Sequence, residues 1–149
     1  MRFTVAVALG LAVGCASEPD EPEKPDPCEG TPVQSFEPCD APDADPSGPV
    51  IDSVVGPSCV SVDRSVDYEI SFQAPADSAA IVGIRVTGHG ATGPRDPYES
   101  RWSAEKQPKA RLLYGFGPWL PGEVRLRIQF IDEKNRFGPA MCGDVSVRQ

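Results

Sequence analysis

Apolar and polar residues alternate with a period of two along two segments of the chain. Residues 124–130 read VRLRIQF and residues 66–72 read VDYEISF, with a large apolar side chain at every second position. Successive side chains of a β-strand point to opposite faces, so this spacing indicates strands with one buried and one solvent-facing side. Both segments are therefore predicted to be strands that cover a common core.

Four further short segments predict strands in the same part of the chain. They cover residues 50–55, 81–86, 110–116 and 144–147, and glycine, proline, aspartate and asparagine concentrate between them. Six or seven short strands within about 100 residues, without a long helical pattern, are typical of a β-sandwich. We therefore expect residues 50–149 to form one all-β domain.

The end of this region resembles an immunoglobulin-like or fibronectin type III-like domain. Pro121 and Gly122 precede one predicted strand, and a turn after Asp132 leads into the last strand, as in those folds. Val124 stands where a corner tyrosine is often found, and the cysteine–tryptophan–cysteine spacing of antibody domains is absent. The resemblance implies that these six or seven strands form a single immunoglobulin-like β-sandwich, and we expect this domain to follow a disordered tether.

A short apolar segment opens the chain and ends at Cys15. Arg2 supplies a positive charge, and residues 3–13 are almost wholly apolar or small, with no acidic residue. The segment resembles the signal peptide and lipobox of bacterial lipoproteins, although Ala12 stands where that family usually has leucine. The resemblance implies a signal peptide over residues 1–14 and a lipid on Cys15. The alternative is an ordinary cleaved signal peptide on a secreted protein.

The same resemblance implies a location. In that family the residue after the cysteine influences sorting, and Ala16 and Ser17 differ from the aspartate associated with inner-membrane retention. The outer membrane of a bacterial cell is therefore expected. Because each buried methylene contributes about 0.8 kcal/mol, two or more acyl chains hold a protein stably on a bilayer. The membrane is thus the first expected partner.

Residues 15–49 differ in composition from the segments on either side. They contain ten acidic residues but Lys24 as their one basic residue, and prolines recur every few positions. Residues 50–149 hold twelve acidic and twelve basic side chains, so the net charge of −8 resides before them. Proline-rich acidic chain with few apolar residues does not form a core, and we expect an extended tether. No basic patch is present, so no nucleic-acid partner is expected.

Four cysteines remain if Cys15 carries lipid, namely Cys28, Cys39, Cys59 and Cys142. An even number in an exported chain indicates disulfides, and four cysteines allow three pairings. We favour Cys28–Cys39, which closes a short loop in the tether, and Cys59–Cys142, which ties the start of the domain to its last strand. The chain has one histidine and no C-x2-C pair, so we expect no metal site and no other cofactor.

One glycine-rich segment contains two features associated with chemistry. Residues 88–93 read GHGATG and match the G-x-G-x-x-G of dinucleotide-binding proteins, but Pro94 and Pro97 follow where that motif needs a helix. We interpret the segment as a loop between strands. His89 is the chain's one histidine, and no nucleophile elbow accompanies it, so no catalytic residue is assigned.

Five aromatic residues fall in or beside predicted loops rather than on alternating strand faces. Aromatic side chains on the loops of a sandwich often form binding patches. Such a patch would use the segments 88–104 and 115–121, and the alternative is that the tryptophans fill the core or its ends. The candidate surface comprises Tyr98, Trp102, Phe116, Trp119 and Phe137.

These patterns favour anchoring and binding over a chemical reaction. We expect a membrane-anchored envelope lipoprotein that acts as a binding or structural module without catalytic activity, with an envelope protein or a glycan as ligand. One alternative is an accessory subunit of a larger envelope complex that offers an edge strand to its partner. Another is an envelope hydrolase, although the sequence contains no recognisable set of nucleophile, base and acid.

Overall fold

The computed structural model describes residues 25–62, 64–91, 93–106, 108–116 and 120–149, without the side chains of residues 114 and 116. The expected signal peptide over residues 1–14, the expected lipid on Cys15 and the first part of the expected tether lie outside the described residues. Within the described ranges, no helix is long and apolar enough to cross a membrane.

Regular structure in the described residues is almost entirely β-strand, with one short 3-10 helix at Ala104–Lys106. The strands in chain order are β1 (Val33–Ser35), β2 (Glu37–Cys39), β3 (Val50–Pro57), β4 (Cys59–Ser61), β5 (Val66–Gln73), β6 (Ile81–Gly90), β7 (Gly93–Pro94), β8 (Tyr98–Arg101), β9 (Arg111–Phe116), β10 (Gly122–Asp132) and β11 (Ala140–Arg148).

The strands form two sheets that enclose one core. The four-stranded sheet has the order β1-β3-β5-β9, and the seven-stranded sheet has the order β2-β11-β10-β6-β7, with β4 also on β11 and β8 also on β6. The pairings are antiparallel apart from that of β4 with β11. The long strands β3-β5-β9 and β6-β10-β11 match the ABE and CFG strands of an immunoglobulin-like sandwich. The expected all-β sandwich is confirmed.

All six strands predicted from the sequence occur, as β3, β5, β6, β9, β10 and β11. In β10, Leu126 and Ile128 are buried, whereas Arg125 and Arg127 alternate with them on the outer face of the sheet. Aromatic rings from both sheets meet between them, with Phe72 edge-on to Phe130 at a centroid distance of 4.9 Å. The alternation therefore sets which side chains reach the core and which remain for a site outside it.

The folded domain begins before the expected boundary at residue 50. Residues 33–39, which we call the crossing segment, pass from the four-stranded sheet, where β1 pairs with β3, to the seven-stranded sheet, where β2 pairs with β11. Phe36 lies at the crossing, is buried, and packs edge-on against Tyr68 at 5.4 Å between ring centroids. Its ring also covers Gly143, where a β-carbon would collide with it. The tether expected over residues 15–49 is therefore wrong for the crossing segment.

The disulfides join different cysteines from those predicted. Cys28 is bonded to Cys59, and Cys39 is bonded to Cys142, with Cα atoms 5.4 Å and 5.8 Å apart. Cys59 aligns with Ser146 of β11, four residues beyond Cys142 and so about 13 Å further along that strand. A disulfide needs Cα atoms within about 7 Å, which rules out a Cys59–Cys142 bond in this fold. The predicted pairing is wrong because the crossing segment is paired strand rather than free chain.

A buried carboxylate holds the hairpin between β10 and β11. Asp132 accepts hydrogen bonds from the backbone N–H groups of Lys134 and Arg136, at 3.0 Å and 2.9 Å, and from Nε of Arg136 at 2.7 Å. The Arg136 guanidinium also donates a hydrogen bond to Asp77, and Lys134 donates another. These two hydrogen bonds to Asp77 hold its pKa well below its usual range. The hairpin thereby fixes Phe137 beside the outer face of the seven-stranded sheet.

We expect Phe36→Ala to lower the free energy of unfolding by about 3–5 kcal/mol, because it leaves a cavity between the sheets. Val33→Ala is the matched control from the same segment, since Val33 is 71% exposed, and it should change stability by no more than about 0.5 kcal/mol. Urea unfolding of the disulfide-bonded protein measures both. Equal, small effects would show that the crossing segment lies outside the core.

Candidate functional site

The outer face of the seven-stranded sheet is polar along its central strands. Because side chains alternate, Thr87 and His89 of β6 lie on the same face as Arg125 and Arg127 of β10. The register places Arg127 between Thr87 and Cys142, and it places Arg125 opposite His89. Directly opposed β-carbons on one face are about 5 Å apart, so these side chains form a continuous surface.

This surface is the floor of a cleft of about 500 Å³. The strands that flank the floor supply its sides, because β2 pairs with β11 and β7 pairs with β6. One side carries the Cys39–Cys142 disulfide, with Asp40 next to it, and the other carries Pro94. The cleft is lined by Cys39, Asp40, Thr87, Gly88, His89, Pro94, Arg125, Arg127 and Cys142.

Arg127 is half-buried in this cleft and has no charge partner. Among the residues that the structure describes, none forms an ion pair or a hydrogen bond with its guanidinium. Its neighbour Arg125 is compensated, because its Nη1 lies 3.0 Å from Oδ2 of Asp144. Arginine keeps its charge at any pH that a protein tolerates and offers five N–H donors. The uncompensated guanidinium of Arg127 is therefore available to an anionic group.

Arg85, also on β6, shows how the same sheet compensates an arginine that has a structural role. Its Nε donates to Oε1 of Glu99 at 2.7 Å, and its Nη1 donates to a carboxylate oxygen of Asp43. The guanidinium carbon lies 3.5 Å from the centre of the Phe137 ring, in cation–π contact. Two acids and one ring satisfy Arg85, whereas Arg127 has none of these partners.

The cleft offers hydrogen-bonding groups and charges. Arg127, His89 and the hydroxyl of Thr87 supply donors, and Asp40 supplies a carboxylate. The two cysteines of the lining are bonded to each other. Within the described part of the chain, no group of three or more His, Cys, Asp or Glu side chains could hold a metal ion. The arrangement is suited to recognising a small polar or charged group.

Trp102, expected at a ligand surface, packs against the core instead. Its Nε1 donates to the backbone carbonyl of Ile81 at 2.8 Å, and its ring meets Phe130 edge-on at 6.5 Å between centroids. A buried indole N–H needs a hydrogen-bond acceptor, and the start of β6 provides it. The half-buried position of Trp102 agrees with the alternative that the tryptophans fill the core or its ends.

The other described members of the predicted aromatic surface do not form one patch. Tyr98 begins β8 and is 53% exposed, whereas Phe137 is held against Arg85. Phe116 belongs to β9 of the opposite sheet, and its side chain is not among those described. Trp119 lies outside the described residues. The described members are therefore divided between the core and two different sheets.

Within the glycine-rich segment 88–93, residues 88–90 and 93 lie in paired strands, so the interpretation of the segment as a loop is wrong for these residues. β6 continues to Gly90, which pairs with Gly93 of β7, and Gly88 to Gly90 also pair with β10. Because the glycines fall on the core-facing side of this strand, His89 between them faces outward and lines the cleft. The described residues that follow form β7 and β8 rather than the helix that a dinucleotide site requires.

The sequence patterns did not identify Arg127, Arg125 and Thr87 as parts of one site. One signal was present, since alternation over residues 124–130 puts both arginines on the solvent face, two positions apart. Two other facts are long-range: the register that brings Thr87 beside Arg127, and the disulfide that brings Asp40 to the cleft. A local pattern contains neither.

Comparison with known proteins found similarity to solved structures at low sequence identity. No protein-family model matches the chain, and no curated protein matches it. Among solved structures, it is similar to a superoxide reductase (neelaredoxin) from Ignicoccus hospitalis, at 12% identity over 67% of this chain and 80% of that one, with a TM-score of 0.46. It is also similar to a Niemann-Pick type C2 protein from the Japanese carpenter ant, at 10% identity over 76% and 98% of the two chains, with a TM-score of 0.49.

A third similarity is to the CARDB domain of the PF1109 protein from Pyrococcus furiosus, solved in complex with di-metal ions. The identity is 19% over 64% of this chain and 84% of that one, with a TM-score of 0.35. At these identities and TM-scores, none of the three carries an argument about what this chain binds. Its function has to be argued from its own cleft.

The contrast between the two arginines gives a stability test. We expect Arg85→Gln to lower the free energy of unfolding by about 1–2 kcal/mol, because it leaves Asp43 without its cation, removes one of the two cations of Glu99 and removes the contact with Phe137. Arg127→Gln should stay within about 0.5 kcal/mol of wild type. Urea unfolding compares the two, and an equal loss for Arg127→Gln would contradict an unpartnered Arg127.

Proposed function

We propose that this chain is a membrane-anchored envelope lipoprotein whose β-sandwich is a non-catalytic binding module, with the cleft on the seven-stranded sheet as its ligand site. The proposal is carried by Arg127, a half-buried cation that lines the cleft without a partner among the described residues. Because a partly desolvated charge without a counter-charge costs stability, the fold alone gives no reason to place one there. A ligand that completes its contacts would give that reason.

The two disulfides indicate an oxidising compartment outside the cytoplasm. An anchor on Cys15 and an outer-membrane location are supported by the lipobox-like sequence that ends at Cys15 and by Ala16 and Ser17 after it. The anchor would keep the ligand site at the cell envelope, where the expected partners, an envelope protein or a glycan, are found.

The distance from the anchor to the domain follows from the first disulfide. Cys28 is covalently bonded to Cys59 at the start of β4, and twelve residues lie between Cys15 and Cys28. Such a stretch spans at most about 45 Å even when fully extended. The domain would therefore stay close to the bilayer, and its ligand would be a molecule present near that surface.

The size of the cleft agrees with a binding role. Small-molecule sites in proteins have volumes of about 300–1,000 Å³, and this cleft has about 500 Å³. Its lining is polar along the floor, so it would receive a small polar ligand or the exposed end of a larger envelope molecule. That group would contact Arg127 and the neighbouring donors of β6.

A second function, as accessory subunit of a larger envelope complex, is favoured by one edge of the four-stranded sheet. β9 is the last strand in the order of that sheet and pairs with β5 on one side. Leu113 of β9 is 67% exposed. A strand edge that carries an exposed apolar side chain is a template on which a partner can add a strand.

Intact-mass analysis of the membrane fraction tests the anchor. We expect the wild-type protein to begin at Cys15 and to carry acyl chains, because the cysteine thiol is the acceptor in lipoproteins of this kind. Cys15→Ser should be unacylated and should leave the membrane fraction, whereas the control Ser17→Ala keeps the acceptor and should behave as wild type. An unacylated, soluble wild-type protein would contradict the proposal.

A further inference from the structure

Two opposite charges line the cleft without meeting. Arg127 lies on its floor, and Asp40 lies at its side next to the Cys39–Cys142 disulfide. Within the described part of the chain, neither side chain has an ion pair or a hydrogen bond, so the two charged groups stay beyond ion-pair distance of each other. The cleft therefore has a positive and a negative position, and both are unfilled by the protein's own side chains.

The covalent frame fixes the backbone next to both charges. Asp40 directly follows the cysteine that is bonded to Cys142, and Cys142 lies opposite Arg127 in the register of β10 and β11. Three residues further along the chain, Asp43 does form an ion pair on this face, with Arg85. This segment thus supplies an ion pair to Arg85 and none to Arg127, and the disulfide holds its backbone in place before any ligand arrives. Such preorganisation lowers the cost of binding.

We infer that the cleft binds a zwitterion of the α-amino acid type, with its carboxylate on Arg127 and its ammonium group on Asp40. The inference rests on the proposed function, because it names the ligand class of that same cleft. A guanidinium presents a planar fork of N–H donors that matches a carboxylate, and an aspartate carboxylate accepts charge-assisted hydrogen bonds from an ammonium group. Thr87 lies opposite Arg127 and His89 lies opposite Arg125, and both add hydrogen-bonding groups to this part of the cleft.

The pair of charges selects against ligands that carry one charge. A simple anion would pair with Arg127 but would be repelled by Asp40. A simple cation would pair with Asp40 but would be repelled by Arg127. A neutral sugar would leave both charges without a counter-charge. Discrimination of this kind comes from unfavourable contacts with the wrong ligand as much as from favourable ones with the right ligand. A molecule that carries both charges satisfies both positions.

Titration of the exported full-length chain carrying Cys15→Ser tests the inference. The probes are the twenty common amino acids, one at a time, with acetate and methylammonium as ligands that carry one charge each. Proton–nitrogen NMR at low ionic strength follows the Arg127 side-chain signal and the Asp40 backbone signal and gives a dissociation constant for each probe. We expect at least one amino acid to shift both signals and to bind at least tenfold more tightly than acetate.

Two variants separate the two ends of the ligand. Arg127→Gln should weaken the binding of both the amino acid and acetate by at least tenfold. Asp40→Asn should leave acetate binding unchanged or tighter and should remove the advantage of the amino acid over acetate. Arg111→Gln removes an arginine from β9 on the opposite sheet, where it pairs with Glu69, and should leave every dissociation constant unchanged.

The outcomes that overturn the inference differ from those that overturn the proposed function. Binding of acetate at Arg127, with no amino acid binding more tightly, would refute the zwitterion and keep the cleft as a binding site for anions. The absence of any shift at Arg127 and Asp40 with every probe would refute the cleft as a ligand site altogether. The lipid anchor on Cys15 is tested independently, by the intact mass of the membrane-bound protein.

Discussion

The architecture depends on the crossing segment, which pairs with both sheets and so joins them. Its two short strands extend opposite sheets, and Phe36 fills the space between them. The Cys39–Cys142 bond then joins residues that are 103 positions apart, and in the chain-entropy account a loop of that length stabilises the fold by about 4.7 kcal/mol. Since domains of about 100 residues have net stabilities of about 5–15 kcal/mol, this attachment is a large part of what keeps the sandwich closed.

The same attachment shapes the cleft. Without β2 beside β11, the outer face of the seven-stranded sheet would be an open polar surface, and Asp40 would not be held next to it. The disulfide turns that surface into a cleft with one free arginine and one free carboxylate among the described residues. Arg85 on the same sheet is saturated by acids and an aromatic ring, so the availability of Arg127 is a property of its position.

The predictions from sequence succeeded where structure is set locally. Period-two alternation identified β5 and β10, and it put Arg125 and Arg127 on the solvent face. This pattern can be predicted because it depends only on the order of residues along one strand. The crossing segment was missed because it lies within a proline-rich, acidic stretch that has the composition of free chain, while one residue, Phe36, recruits it into the core. The disulfide pairing and the cleft could not be predicted from local patterns, because both depend on which strands become neighbours in the sheets.

The location of the disulfides is the most direct test of this account, because the crossing segment, the core around Phe36 and the side of the cleft all require one pairing. Peptide mapping of the non-reduced protein by mass spectrometry measures it. The account predicts peptides joined through Cys28–Cys59 and Cys39–Cys142. Peptides joined through Cys28–Cys39 and Cys59–Cys142 would contradict it, because the segment before β3 would then be free to leave the sandwich.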